Sequence, residues 1–183
     1  MKKKPFTEYL LLGTLMSGPK HGYEIRQFLG TALGSTWQVG TSQLYNLLKR
    51  LEWEGLVSSN LETQEDRPSK RVFYLSEAGE KSFLAWLNCS TDNVRDLRVE
   101  FLAKLFFFQR LRLEGGDDLI NRQIKVMNKA KERLQQRYEN GEDPYDRLVL
   151  DFKMSTVYAW LDWLDTKAKV FIRDAHDHGR PEK

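Results

Sequence analysis

Cysteine is almost missing from this chain. Cys89 stands alone among 183 residues, which excludes an internal disulfide and a thiolate metal cluster and fits a reducing compartment. Long apolar runs are missing too. The longest apolar cluster, Phe101–Phe108, is interrupted by Lys104 and falls far short of the about 20 residues that cross a membrane as a helix. The opening stretch, "MKKKPFTEYLLLGTLMSG", runs from basic to apolar to small like a secretory leader, but Glu8 sits inside its short apolar part. It is read as an ordinary first helix, so a cytoplasmic protein with no membrane partner is expected. Catalytic signatures are also lacking. There is no glycine-rich phosphate loop, no Gly-x-Ser-x-Gly, no helical pair of metal ligands and no plausible Cys/His pairing. No enzyme activity, cofactor or metal is expected. The "DAHDH" at 174–178 carries metal-capable side chains but has no second cluster to complete a ligand set.

What is present describes a folded chain. Hydrophobic residues make up 40% and charged residues 30%, outside the range of disordered sequences. The net charge is +3. Residues 1–90 carry 11 Lys and Arg against 9 Asp and Glu, and residues 91–183 carry 18 against 17. Neither half is a bulk polycation, so any nucleic-acid binding must rest on local patches.

Along the first half, helices are expected over 6–16 and 23–33, separated by a Gly- and Pro-containing turn in "SGPKHG" (17–22). A second turn, "GSTWQVG" (34–40), places Trp37 as a core plug. A third helix begins at Thr41 or Ser42, either of which can cap it with a side-chain oxygen, and ends at Gly55. "LVSSNL" (56–61) and "KRVFYL" (70–75) are β-prone and flank a polar tip, which makes a hairpin. Ser76 caps a fourth helix over 77–87, and "NCSTDN" (88–93) is a domain boundary.

The third helix raises the functional question. At about 100° per residue, Leu44, Leu47, Leu48 and Leu51 share one face. Ser42, Asn46, Lys49 and Trp53 lie opposite, flanked by Gln43, Tyr45 and Arg50. No acid occurs from Thr41 to Leu51. Hydroxyl, amide and basic side chains can bond base edges and phosphates, whereas an acid would be repelled there. A lone amphipathic helix with such a face is usually only solvated. Three short helices followed by a hairpin, however, are the order of a winged helix-turn-helix, whose third helix enters the major groove. The hairpin adds Arg67, Lys70 and Arg71 around its tip and second strand, where they can reach phosphate or the minor groove or simply protect an edge strand. Glu62, Glu65 and Asp66 on the same loop argue against a purely electrostatic wing.

The second half is helical throughout. Residues 95–112 are apolar on more than one side. Residues 117–139 place Ile120, Ile124, Met127, Leu134 and Tyr138 at four- and three-residue steps, with Lys131 in one slot, and residues 146–173 do the same without a break through Leu150, Met154, Val157, Leu161, Leu164, Ala168 and Phe171. Two such seams joined by "NGEDP" predict an antiparallel helical hairpin. Trp160 and Trp163 flank the second seam, either as dimer packing, the favoured reading, or as a ligand pocket. The fold class is mainly α. An N-terminal winged helix-turn-helix with a two-stranded wing fills residues 1–90, and a long-helix antiparallel dimerisation domain fills residues 91–183.

"LLGTLMSGPKHGYEIRQFL", "SQLYNLLKRLEWEGLV" and "VFYLSEAG" together resemble the PadR family of bacterial transcriptional regulators. The segment from "NVRDLRVEFLAKLFFF" onward more loosely resembles its AphA-like branch, with an extended helical C-terminal domain. The resemblance implies a homodimer on a pseudo-palindromic promoter site of double-stranded DNA, and it puts Tyr23, Gln43, Tyr45, Asn46, Lys49, Arg67, Lys70 and Arg71 on the DNA side, where the outward face of the third helix adds Ser42 and Arg50. The seam residues Met127, Leu134, Tyr138, Met154, Val157, Leu161 and Leu164 then become the dimer interface. Some relatives hold phenolic or drug-like effectors with tryptophans, which leaves a small-molecule effector at Trp160 and Trp163 open. Many relatives have Leu-Tyr-Pro where this chain has Leu44-Tyr45-Asn46, so no target sequence carries over. The competing reading is a protein–protein adaptor that keeps the winged fold without DNA binding, favoured by the balanced charge and acidic wing.

Overall fold

The computed structural model describes residues 4–34, 39–64 and 67–177. The chain divides into two compact units, residues 1–88 and 89–183.

In the first unit, α1 (Phe6–Leu15) is buried continuously from Glu8 to Leu15. Such a helix is surrounded rather than amphipathic. It packs against α2 (Gly22–Ala32), α3 (Thr41–Trp53) and α4 (Glu77–Leu87). Those helices contribute Ile25 and Leu29, then Leu44, Leu48 and Leu51, then Phe83 and Leu87, all fully enclosed. Tyr9 stacks on Trp86 with ring centroids 4.9 Å apart. The expected core role of Trp37 falls on residues outside those described.

The end of α3 is a Schellman motif. Gly55 takes φ +72°, its N–H donates to the Glu52 carbonyl at 3.0 Å, and the Leu56 N–H returns to the Leu51 carbonyl at 2.9 Å. The start of the helix corrects the capping expectation. Gly40 is the N-cap and no side chain caps the helix, because the Thr41 hydroxyl instead accepts a hydrogen bond from Arg26 at 2.6 Å.

β2 (Val57–Gln64) and β3 (Arg67–Leu75) form the expected hairpin, longer than the β-prone runs, with Val57 opposite Leu75 and an irregularity between Glu62 and Gln64. A third strand was not expected. β1 (Lys20–His21) lies within "SGPKHG" and pairs with the other edge of β3, giving the antiparallel order β1-β3-β2. Ser76 caps α4 by accepting from the Gly79 N–H at 3.0 Å and donates to the Gly55 carbonyl at 2.7 Å. The start of α4 is thereby fixed against the end of α3.

In the second unit, the single helix expected over 95–112 is α5 (Val94–Asp96), a π turn (Leu97–Phe101) and α6 (Leu102–Arg110). α7 (Gly116–Asn140) packs on α8 (Pro144–Trp163) across the connection 141–143. Asp143 caps α8 by accepting from the Asp146 N–H at 2.8 Å, with Pro144 at its first position. A second π turn, Leu164–Ala168, leads into α9 (Lys169–Asp177). The seam keeps its heptad step through Leu150, Val157 and Leu164. Beyond the π turn, Ile172 is buried and Phe171 is 40% exposed, since the wider turn advances the inward face by one residue. No helix among the described residues is long and apolar enough to cross a membrane.

Burial along the seam bears on three residues of the dimer assignment. Met127, Val157 and Leu164 are each 1% exposed or less within one protomer, so they hold the protomer's own helices together and have little surface left for a partner. Leu134, Met154 and Leu161 are half-buried, and Tyr138 is 37% exposed.

Glycine placement generates a stability prediction. A Cβ on Gly79 would lie 2.1 Å from the Leu56 carbonyl oxygen, whereas one on Gly30 meets nothing within 4 Å. Urea unfolding should show Gly79→Ala losing about 3 kcal/mol through overpacking. Gly30→Ala should gain about 0.5–1 kcal/mol from helix propensity.

Candidate nucleic-acid interface

Burying Leu44, Leu48 and Leu51 turns the other side of α3 to solvent. Ser42, Gln43, Tyr45, Asn46, Lys49 and Arg50 are all exposed, and Trp53 is 87% exposed at the helix end. The first turn has no acid and no side-chain cap. A helix start of this kind presents backbone N–H groups and a partial positive charge to an external anion.

Tyr45 is held in a defined direction. Its ring lies 6.4 Å from that of the buried Phe73. A Cβ on Gly22 would come 2.6 Å from its hydroxyl, so glycine at the start of α2 is what admits the tyrosine. Beside it, His21 stacks on Tyr23 with centroids 5.8 Å apart and faces the Arg71 carbonyl with Nδ1 at 3.3 Å. The His21 N–H donates to Glu24 at 2.7 Å, which closes the first turn of α2. Tyr23 is 56% exposed. The tyrosines, the start of α2 and the root of β3 therefore form one contiguous edge with α3.

The cations divide into two groups. Arg50 pairs with Glu8, an acid from α1 that is 1% exposed, with Lys4 Nζ 3.7 Å from the same carboxylate. Arg71 donates to Ser59 at 2.6 Å and reaches Glu52 at 3.2 Å, with its guanidinium 5.8 Å from the Phe73 ring centroid. These partners give Arg50 and Arg71 bracing roles that their assignment to DNA had not included. Lys49 is the cation of α3 that these ion pairs leave out. The side chains of Arg67 and Lys70 lie outside those described.

The end of α3 carries two acids, Glu52 and Glu54, and ion pairs within the unit engage both. Glu52 is engaged by Arg71 and by the Ser59 hydroxyl at 2.6 Å, and Glu54 by Lys4. Both carboxylates are compensated within the unit, so the outward face keeps its basic and amide character. Sequence reasoning noticed Glu8 as out of place in an apolar stretch but did not connect it to Arg50. A lone acid on an all-buried helix was the available signal, since a buried carboxylate requires a cation.

Among the described residues there is no grouping of three or more His, Cys, Asp or Glu that could hold a metal. In the second unit, Leu102, Phe152, Ser155, Thr156, Ala159, Trp160 and Trp163 line an open groove of about 590 Å³. Trp160 and Trp163 meet edge to face there, 5.5 Å apart.

Three helices and a hairpin wing, followed in the chain by a long-helix second unit, define a winged-helix protein. Residues 11–85 match the model of the transcriptional regulator PadR-like family, and residues 97–171 match that of the virulence activator alpha C-terminal region. Bacillus subtilis PadR, a negative transcriptional regulator, is 28% identical over 178 residues, spanning 91% of this chain and 98% of its own. Its crystal structure with operator DNA aligns over 93% of this chain and 99% of its own, at 24% identity and a TM-score of 0.48. A transcriptional regulator from Clostridium thermocellum aligns over 44% of this chain and 77% of its own, at 21% identity and a TM-score of 0.41. Over residues 11–85 this chain is thus similar to the PadR-like family of transcriptional regulators.

The two kinds of cation on α3 separate by experiment. Arg50→Met leaves Glu8 buried with only Lys4 nearby and should cost about 2 kcal/mol in urea unfolding, below the full loss of a buried pair. Lys49→Ala should stay within about 0.5 kcal/mol of the parent.

Proposed function

We propose that this regulator binds double-stranded promoter DNA as a homodimer, with one winged unit on each half of a pseudo-palindromic site. The observation that carries the reading is the outward face of α3, acid-free through Leu51 and backed by three buried leucines. Gln43, Asn46 and Lys49 read base edges, because amides and a lysine present the donors and acceptors that major-groove patterns require. Tyr23, Tyr45 and the wing residues Arg67 and Lys70 position the unit on phosphates. Arg50 and Arg71 act mainly by fixing α3 and β3. DNA as the partner puts the site of action in the cytoplasm, which agrees with a single cysteine.

The homodimer reading moves to a different surface from the seam. Tyr145, Leu148 and Phe152 are 65–72% exposed on α8, and they run on through Ser155 and Ala159 to Trp163 at three- and four-residue steps. This stripe lies on the opposite side of α8 from Leu150 and Val157 and opens into the aromatic groove. An exposed apolar stripe of this length calls for a partner, and a second copy can supply the same stripe across a two-fold axis. On this reading Trp160 and Trp163 serve packing, and an aromatic effector would enter only where two copies leave space between them.

Three measurements test the proposal. Four phosphates neutralised per subunit give a slope of about −7 for log affinity against log salt, and a slope near zero contradicts DNA binding. Lys49→Ala should lose about 1–3 kcal/mol on the selected site and discriminate less between bases, whereas Arg67→Ala should weaken binding to all sequences evenly. Phe152→Asp should convert the dimer to monomers in sedimentation equilibrium. A dimer that survives it places the interface elsewhere.

A further inference from the structure

The segment at the start of the second unit is held by buried polar groups that the DNA-binding reading does not use. Lys104 is fully buried in α6. Its ammonium pairs with Glu100 of the π turn at 3.0 Å, donates to the Cys89 carbonyl at 2.7 Å and stands 3.4 Å from the Thr91 hydroxyl. Gln123 of α7 is also fully buried. Its amide oxygen accepts from the Thr91 N–H at 2.7 Å and its amide nitrogen donates to the Thr91 carbonyl at 2.9 Å. Two helices thus grip both backbone groups of Thr91 and the carbonyl of Cys89.

The grip begins where the winged unit ends. Asn88 is the C-cap of α4, with its N–H bonded to the Leu84 carbonyl at 3.1 Å and its side-chain amide to the same oxygen at 3.0 Å. The next residue, Cys89, is already clamped. The connection therefore has no free residue between the last helix of the winged unit and the clamp, although residues 88–93 read as a plain linker. Burying an ammonium, a carboxylate and an amide is costly unless each finds partners. An apolar core would have served stability as well, and it would not have fixed this backbone.

We infer that Lys104 and Gln123 are positioning residues, which set how widely a dimer's two winged units can be spaced and so which separation of operator half-sites the protein accepts. The inference rests on the dimer-on-DNA reading. With the clamp open, the chain from Cys89 to Asn93 becomes a free tether whose end-to-end distance is about 12 Å. Half-site centres one helical turn apart stand about 34 Å from each other, so slack of that size at each subunit blurs the spacing without touching a base.

The test uses the full chain and three proteins: wild type, Gln123→Met, and the double variant Lys104→Met with Glu100→Met. The first variant is close to isosteric, and the second removes both charges together so that neither is left buried alone. Hydrogen exchange of the Thr91 amide, measured without DNA, reports the clamp. Binding is then measured on duplexes built from the half-site that wild type selects from a random-sequence library. These carry a single half-site or inverted repeats whose spacing changes one base pair at a time. Wild type should protect the Thr91 amide and lose about tenfold or more in affinity two base pairs from its preferred spacing. Gln123→Met should expose that amide, whereas the double variant leaves the Gln123 bonds in place and releases the Cys89 carbonyl; both should keep single half-site affinity and flatten the spacing profile, a change that a merely structural role would not produce. An unprotected Thr91 amide in wild type overturns the clamp. A released amide with an unchanged spacing profile overturns the positioning role. If wild type selects no DNA, the proposed function fails and the spacing claim falls with it. The amide measurement still reads the clamp, so the two failures are distinguishable.

Discussion

A helix of this size can bury one face, and Leu44, Leu48 and Leu51 decide which face of α3 that is. Three leucines taken fully out of water contribute several kcal/mol on the usual scale of about 1.5–3 kcal/mol each, more than any single surface interaction in the unit. Their burial fixes the rotation of α3 about its own axis. Ser42, Gln43, Asn46 and Lys49 are displayed as a consequence. The Schellman turn at Gly55, the Ser76 cap and the close approach of Gly79 to Leu56 then hold the end of the helix against α4. The face that meets DNA in the proposed function is the complement of a packing decision.

Around that packing, charge is sorted by use. Glu8 with Arg50, Glu52 with Arg71 and Glu54 with Lys4 tie α3 to the N-terminal helix and to the wing. The two pairs at the exposed end of α3 contribute little stability alone, since exposed pairs are worth about 0–1 kcal/mol. Their larger effect is electrostatic, because they compensate the acids of α3 while Lys49 stays outside the ion pairs. The second unit uses the same device at Lys104 and Glu100, with the charges wholly inside and aimed at a backbone segment.

Much of this was legible in the sequence. Leucine periodicity revealed the helices of the first unit, Ser76 marked its cap, and the acid-free run from Thr41 to Leu51 marked the candidate face. Other features needed three dimensions. β1 is two residues long and exists only because β3 offers an edge. The π turns leave no signature in a heptad pattern, yet the second one moves the inward position from Phe171 to Ile172. Glu8 and Arg50 are far apart in sequence, so their pairing could not be read from spacing. α8 is apolar on two sides, and periodicity alone cannot say which side faces its own chain. That ambiguity assigned Met127, Val157 and Leu164 to a partner when they belong to the protomer's core.

The most direct measurement of the central claim is selection from fragmented genomic DNA by the purified wild-type protein, run beside a Gln43→Ala/Asn46→Ala/Lys49→Ala variant. The three substitutions leave the leucine stripe and every ion pair described above in place, so the variant should remain folded. Wild type should enrich a few promoters that share an inverted repeat, and the variant should enrich none of them. Equal enrichment by both proteins would contradict the assignment of α3 as the reading face.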